Sequence, residues 1–144
     1  MRAKRKKTVC FFSRLFAGTA LTPARKTLQI ADAHTEICLE KWVGERKYTN
    51  PDSTLEDVAE DIGISSLQLA YYFRIVIGQS FQTWRKKLRI RDAQVLIAQN
   101  PEKSIASIGY SVGITDKSNF RRQFLEETGM TPIEYRKEIM GIRK

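Results

Sequence analysis

Within six residues the chain places Lys117, Ser118, Asn119, Arg121 and Arg122. An arginine fork can bond guanine O6 and N7 together, and an asparagine amide can pair with adenine. Side chains of these types on the first turns of an exposed helix suit base-edge reading in a major groove. Thr115, just ahead of them, offers a hydroxyl to a phosphate. Any one of these residues alone can be a solvated surface group. Their crowding at one end, with Glu126 and Glu127 at the other, is what favours an anionic partner.

A less polar set lies earlier. Leu67, Gln68 and Tyr71 form a second candidate reading face, with Ser65 and Arg74 suited to phosphates. Gln68 can read adenine and Leu67 can meet a thymine methyl. Arg85, Lys86, Lys87, Arg89 and Arg91 follow with no intervening acid. Lys86 and Lys87 are expected at the DNA backbone, whereas Arg89 and Arg136 are candidates for clamped, structural roles.

The elements that must carry these residues are helices. Ile105, Ile108 and Val112 recur at i, i+3 and i+7, one face of a helix. Gly113 stops that helix, and Thr115 or Asp116 can cap the next, whose apolar face is Phe120, Phe124 and Leu125. The same plan occurs earlier. Thr54 and Asp57 make a capping box, and Leu55, Val58, Ala59 and Ile62 form the apolar face. Gly63 ends that helix, and Ser65 caps a further one, with Leu69, Tyr72, Phe73 and Val76 inward, which runs to about Ile77 before Gly78.

The two plans align by number. Val58-Ala59, Ile62-Gly63-Ile64-Ser65 match Ile108-Gly109, Val112-Gly113-Ile114-Thr115 at an offset of 50. After one inserted residue the offset is 51, and Phe73, Gly78, Ser80 and Trp84-Arg85 match Phe124, Gly129, Thr131 and Tyr135-Arg136. This is a tandem repeat of one supersecondary unit. Between the copies Ser80 to Gln99 lacks internal Gly and Pro and reads as one helix carrying Phe81, Trp84, Leu88, Ala93, Val95, Leu96 and Ile97. Such a helix, ~30 Å long, would hold two heads near the ~34 Å spacing of successive major-groove segments.

The formal charge is +9, but residues 1–30 hold +8 of it, with no Asp or Glu. Residues 31–144 therefore carry only +1, and the case for an anionic partner rests on local patterns. Residues 1–30 are expected to be a basic, flexible tail. Its start resembles a signal peptide, but Arg14 interrupts the apolar run. From about Ala31 to Lys47 a helix is expected, with Ile30, His34, Ile37, Cys38, Lys41 and Trp42 along one stripe. Cys10, Cys38 and the single His34 give no metal or disulfide spacing. No nucleophile–base pair or phosphate loop is present either, so neither enzymatic activity nor a cofactor is expected.

The span from about Ala31 to Arg143 resembles the DNA-binding domain of the AraC/XylS family of bacterial transcription regulators. The resemblance rests on Arg89, Ala93 and Leu96; on Ser104-Ile105, Ile108-Gly109 and Gly113; on Asn119-Phe120 and Phe124; and on Gly129-Met130-Thr131-Pro132 with Tyr135-Arg136. It implies an all-α, seven-helix fold with two homeodomain-like helix-turn-helix units, about 31–79 and 104–140, joined by a linker helix over 80–99. It implies a cytoplasmic, nucleoid-associated activator that binds double-stranded DNA near a promoter and meets RNA polymerase. By position it marks Leu67, Gln68 and Tyr71, and Ser118, Asn119, Arg121 and Arg122, as reading residues. Two heads per chain suggest a monomer on an asymmetric site. Without an apparent effector domain the chain is expected to resemble the short, standalone members, or a truncated one. It departs from the family in Gly109 (usually alanine), Ile114 (usually aromatic) and Tyr71 (often basic). The competing expectation is a helical protein-interaction module whose basic tail binds a membrane or a partner.

Overall fold

A computed structural model describes residues 23–142. Among them are seven α-helices and no strand. These are α1 (Pro23–Gly44), α2 (Leu55–Ile62), α3 (Ser66–Tyr71), α4 (Phe81–Gln99), α5 (Ile105–Ser111), α6 (Lys117–Thr128) and α7 (Pro132–Ile142). A 3₁₀ turn, Lys47–Thr49, follows α1, and a π-helical segment, Tyr72–Ile77, prolongs α3.

Caps written into the sequence delimit most helices. Thr54 accepts from the Asp57 N–H while Asp57 accepts from the Thr54 N–H, closing a capping box on α2. Ser65, Ser80 and Ser104 cap α3, α4 and α5. For α6 the cap is Asp116, whose carboxylate takes the Asn119 N–H at 2.6 Å. Ser65 therefore corresponds to Asp116, not to Thr115, and the residue inserted in the second copy lies inside the turn of its helix-turn-helix.

Two apolar cores result. Leu39, Trp42, Tyr48, Val58, Ala59, Leu69, Tyr72, Phe73 and Phe81 form the first. Ile90, Ala93, Ile97, Ile108, Val112, Ile114, Phe120 and Phe124 form the second. The linker helix α4 belongs to both. Phe81, Trp84 and Leu88 enter the first core, and Ile90, Ala93 and Ile97 enter the second. At about 100° per residue these two stripes lie roughly half a turn apart around the helix. Val95, on neither stripe, is 50% exposed.

The repeat extends to contacts. Phe73 meets Trp84 edge-on at 5.1 Å, and Phe124 meets Tyr135 in the same way at 5.5 Å. Arg85 donates to the Ser53 carbonyl, just ahead of the α2 cap, and Arg136 donates to the Lys103 carbonyl, just ahead of the α5 cap. Each arginine ties the helix that follows a helix-turn-helix to the start of that helix-turn-helix.

The connector after α1 locks the units together. Arg89, buried on α4, donates to the carbonyls of Tyr48 at 2.7 Å and Asn50 at 2.8 Å. Burial pushes its guanidinium down to about 10, with Arg85 adding repulsion, so it remains charged at neutral pH. Asp92 of α4 accepts two bonds from Arg46 and one from the Tyr48 hydroxyl. On the other side Gly113, at φ 84°, lies directly on this connector: a β-carbon there would run into the Thr49 carbonyl. Glycine is required both by the left-handed backbone and by the close approach.

Several expectations need correction. Helix α1 begins at Pro23, eight residues before Ala31 and inside the span expected to be tail, with proline at the first helical position. The tail expected over residues 1–22 lies outside the described residues. The buried face of α1 is Thr35, Leu39 and Trp42, while His34 and Lys41 are exposed and Ile37 is 66% exposed. Thr35 can be buried because its hydroxyl donates to the Ala31 carbonyl. Helix α6 leaves Leu125 43% exposed. Gly109, where the family usually has alanine, is closely packed: a β-carbon there would come within 2.9 Å of the buried Phe120 ring.

Candidate nucleic-acid interface

Each unit presents a capped helix whose outer face carries the candidate residues. On α3, Leu67 is 80% exposed and Tyr71 43%, apolar groups held in water with no core to enter. Gln68 is half-buried, and its amide lies 3.4 Å from the Thr35 hydroxyl of α1. Ser65 is exposed, and its hydroxyl is engaged as the cap of α3. Arg74 is exposed one turn beyond Tyr71, in the π-helical segment.

On α6, Lys117, Ser118, Arg121 and Arg122 are all exposed along the first turns. Asn119 is half-buried, and its side-chain oxygen accepts from Arg122 at 2.8 Å and from Gln123 at 2.9 Å. Arg122 also faces Glu126 one turn on, at 3.5 Å. Thr115 is exposed in the turn. With cap and insertion aligned, Leu67, Gln68 and Tyr71 of the first head occupy the places of Ser118, Asn119 and Arg122 of the second.

The linker lysines are less free than their sequence suggests. Lys86 reaches Glu127 at 2.9 Å and Glu126 at 3.5 Å. The hydrogen bond to Glu127 is the main cause that holds its ammonium above the ordinary lysine range. Lys87 donates to Gln79 at 3.0 Å. Thr35, Gln123 and Glu126 prove to be neighbours of the candidate residues Gln68, Asn119 and Arg122. Gln123 and Glu126 stand four residues after Asn119 and Arg122, a helical spacing that could have revealed them. Thr35 touches Gln68 across thirty-three residues and left no such signal.

Two helix-turn-helix units, each with a capped helix and an exposed outer face, share the linker helix α4. A family model described as a helix-turn-helix domain matches residues 58–138, from inside α2 into α7. The chain belongs to the AraC/XylS family. This is a family of DNA-binding transcription regulators. The arabinose operon regulatory protein of Salmonella typhimurium is 34% identical over 82 residues, covering 57% of this chain and 29% of that protein. The transcriptional activator RhaR of Klebsiella pneumoniae is 31% identical over 126 residues, covering 85% of this chain and 44% of that one. Among solved structures, a transcriptional regulator with an AraC-type DNA-binding domain from Chromobacterium violaceum superposes with a TM-score of 0.64 at 25% identity, over 74% of this chain and 96% of that one. The chain thus spans less than a third of the arabinose regulator's length and less than half of RhaR's.

Among the described residues, no group of three or more His, Cys, Asp and Glu could hold a metal ion. No described helix is long and apolar enough to cross a membrane.

Proposed function

We propose that the chain is a sequence-specific reader of double-stranded DNA that lays α3 and α6 in two adjacent major-groove segments of an asymmetric site. One observation carries this reading: two equivalently capped helices, each with an exposed outer face, sit on one linker. Helix α4 has 19 residues, about 28 Å at 1.5 Å per residue, close to the ~34 Å of one duplex turn. Lys117, Ser118, Asn119, Arg121 and Arg122 give the second head its base-edge donors and acceptors. Leu67, Gln68 and Tyr71 give the first head one amide amid apolar contacts. Ser65, Arg74, Lys87 and Thr115 are the candidates for phosphate contact in this reading.

Two heads of different polarity, in tandem, call for a site without dyad symmetry and for one chain per site. The reading extends to a bacterial activator that acts in the cytoplasm, at the nucleoid, presents a surface to RNA polymerase and performs no catalysis itself. Selection of bound duplexes from a random library, followed by titration at several salt concentrations, tests it. The expected result is two unlike sequence blocks about one turn apart, 1:1 stoichiometry and a log–log salt dependence of clear negative slope. A palindromic site bound 2:1, or binding absent or indifferent to salt, would overturn it and favour a protein-interaction module.

A further inference from the structure

Lys86 was expected at the DNA backbone. Its surroundings argue otherwise. Its ammonium projects from the linker helix toward the second reading helix, and the oxygens nearest to it belong to Glu126 and Glu127. Its side chain is only 28% exposed. A phosphate reaching this ammonium would have to displace two carboxylates that themselves repel it.

From Lys86 the contacts continue into the candidate reading face. The Oε2 atom of Glu126 faces Lys86, and its Oε1 atom faces the Arg122 guanidinium, at 3.5 Å each. The other end of that guanidinium donates to Asn119 at 2.8 Å. Asn119 is held in turn by Gln123, which lines a polar cleft between α4 and α6 together with Lys86. Glu126 is thus shared between two cations, one on the linker and one on the reading helix.

We propose that Lys86 is a positioning residue for base recognition: it draws the Glu126 carboxylate partly away from Arg122, leaving that guanidinium held in place yet free to bond a base. The inference rests on the reading of Arg122 as a base contact. Two physical effects support it. A long arginine side chain loses considerable rotamer freedom when it is immobilised on a ligand. Tethering it beforehand to Asn119 and Glu126 reduces that loss on binding. A carboxylate with no second cation would pair fully with Arg122 and compete with the base for its donors. Lys86 supplies that second cation, from a helix that both cores hold fixed.

The test compares wild type, Lys86→Met, Lys86→Arg, Arg122→Ala and the double variant Lys86→Met/Arg122→Ala. The probes are duplexes selected by the wild-type chain, each with single base-pair changes, titrated at several salt concentrations. Methionine keeps the length of the lysine stem, and thermal unfolding checks that each variant is folded. Lys86→Met is expected to lower discrimination about two- to fivefold, the scale of a partly exposed ion pair, at the same base pair that Arg122→Ala relaxes. The salt slope stays unchanged, and Lys86→Arg restores discrimination. In the Arg122→Ala background Lys86→Met has no further effect at that base pair. Uniform weakening with a salt slope reduced by about one would make Lys86 a phosphate contact and overturn the proposal. So would an unchanged preference, or an effect that persists without Arg122. If Arg122→Ala itself relaxes no base pair, the base-reading assignment fails and takes the relay with it. If Arg122→Ala relaxes one and Lys86→Met does not, only the relay fails.

Discussion

Arg136 of α7 holds the backbone of Lys103, its Nη2 donating to that carbonyl at 2.6 Å. The carbonyl lies immediately before Ser104, the cap of α5. A charged hydrogen bond thus joins the last helix of the second unit to its first. Replacing Arg136 by methionine should cost about 1.5–3 kcal/mol, the range for a hydrogen bond to a charged group. Urea unfolding at an unchanged m-value would measure it. The same change at Arg85, which donates to Ser53, should cost a similar amount in the first unit.

The positive-φ glycines should differ sharply from one another. Gly78 has open space around it, so Gly78→Ala should cost only the left-handed backbone penalty, about 1–2 kcal/mol. Gly113→Ala must also push against the Thr49 carbonyl, which adds an overpacking cost of about 1–3 kcal/mol. Denaturant midpoints for the two variants should separate accordingly, and equal midpoints would show that the connector yields easily.

Base reading and backbone contact leave different signatures. Arg122→Ala should lose about 1–3 kcal/mol of discrimination at one base pair. Lys87→Met should weaken all duplexes alike and reduce the salt slope by about one. Titration of a selected duplex and its point variants at several salt concentrations separates these outcomes.

Acid should loosen two helix starts. Asp57 lies below its ordinary 3.8, through bonds from the Thr54 N–H and hydroxyl. Glu134 lies below its ordinary 4.5, through the equivalent bonds from Thr131. Folding therefore favours the ionised form of each. The stabilisation is fully present above about pH 5 and is lost as pH falls below these ordinary values and through the lowered ones. The double variant Asp57→Asn/Glu134→Gln should show a smaller fall in Tm between pH 5 and pH 3 than the wild type, measured by circular dichroism.

Both tryptophans of the chain, Trp42 and Trp84, pack in the first core, stacked at 6.3 Å. Intrinsic fluorescence therefore reports on the first unit, whereas far-ultraviolet circular dichroism reports on all the helices. Because α4 contributes to both cores and Gly113 sits on the first unit's connector, the two melting curves should coincide. A fluorescence transition several degrees away from the dichroism transition would mean that the units melt separately.

What could be read from the sequence was short-range chemistry. Thr54 and Ser65 cap the helices expected of them because a cap is decided within four residues. Gly63, Gly78 and Gly129 end helices for the same reason. The cap at Asp116 was ambiguous, since the inserted residue left Thr115 in register with Ser65. The phase of α1 was not legible: Ile37 competes with Leu39 for the stripe, and the elements α1 packs against in the first core, far off in sequence, decide between them. The targets of Arg89 lie about forty residues away on bare backbone carbonyls, which no side-chain pattern announces. The partners of Lys86 are also forty residues distant, so a run of cations looked like a phosphate track when its first lysine was already engaged. The exposed faces of α3 and α6 were legible as candidates because their residues lie outside both helical stripes.

The two-sided apolar pattern of α4 fixes more than its own burial. Inserting or deleting one residue between Leu88 and Ile90 would turn every later side chain by about 100° about the helix axis. The second core could follow only by swinging bodily around the linker, tearing Gly113 from Thr49 and carrying α6 to another azimuth relative to α3. The linker is therefore a phase-setting shaft as much as a spacer: it fixes the azimuth of α6 relative to α3, and its residue count cannot drift without unmaking one of the units it joins.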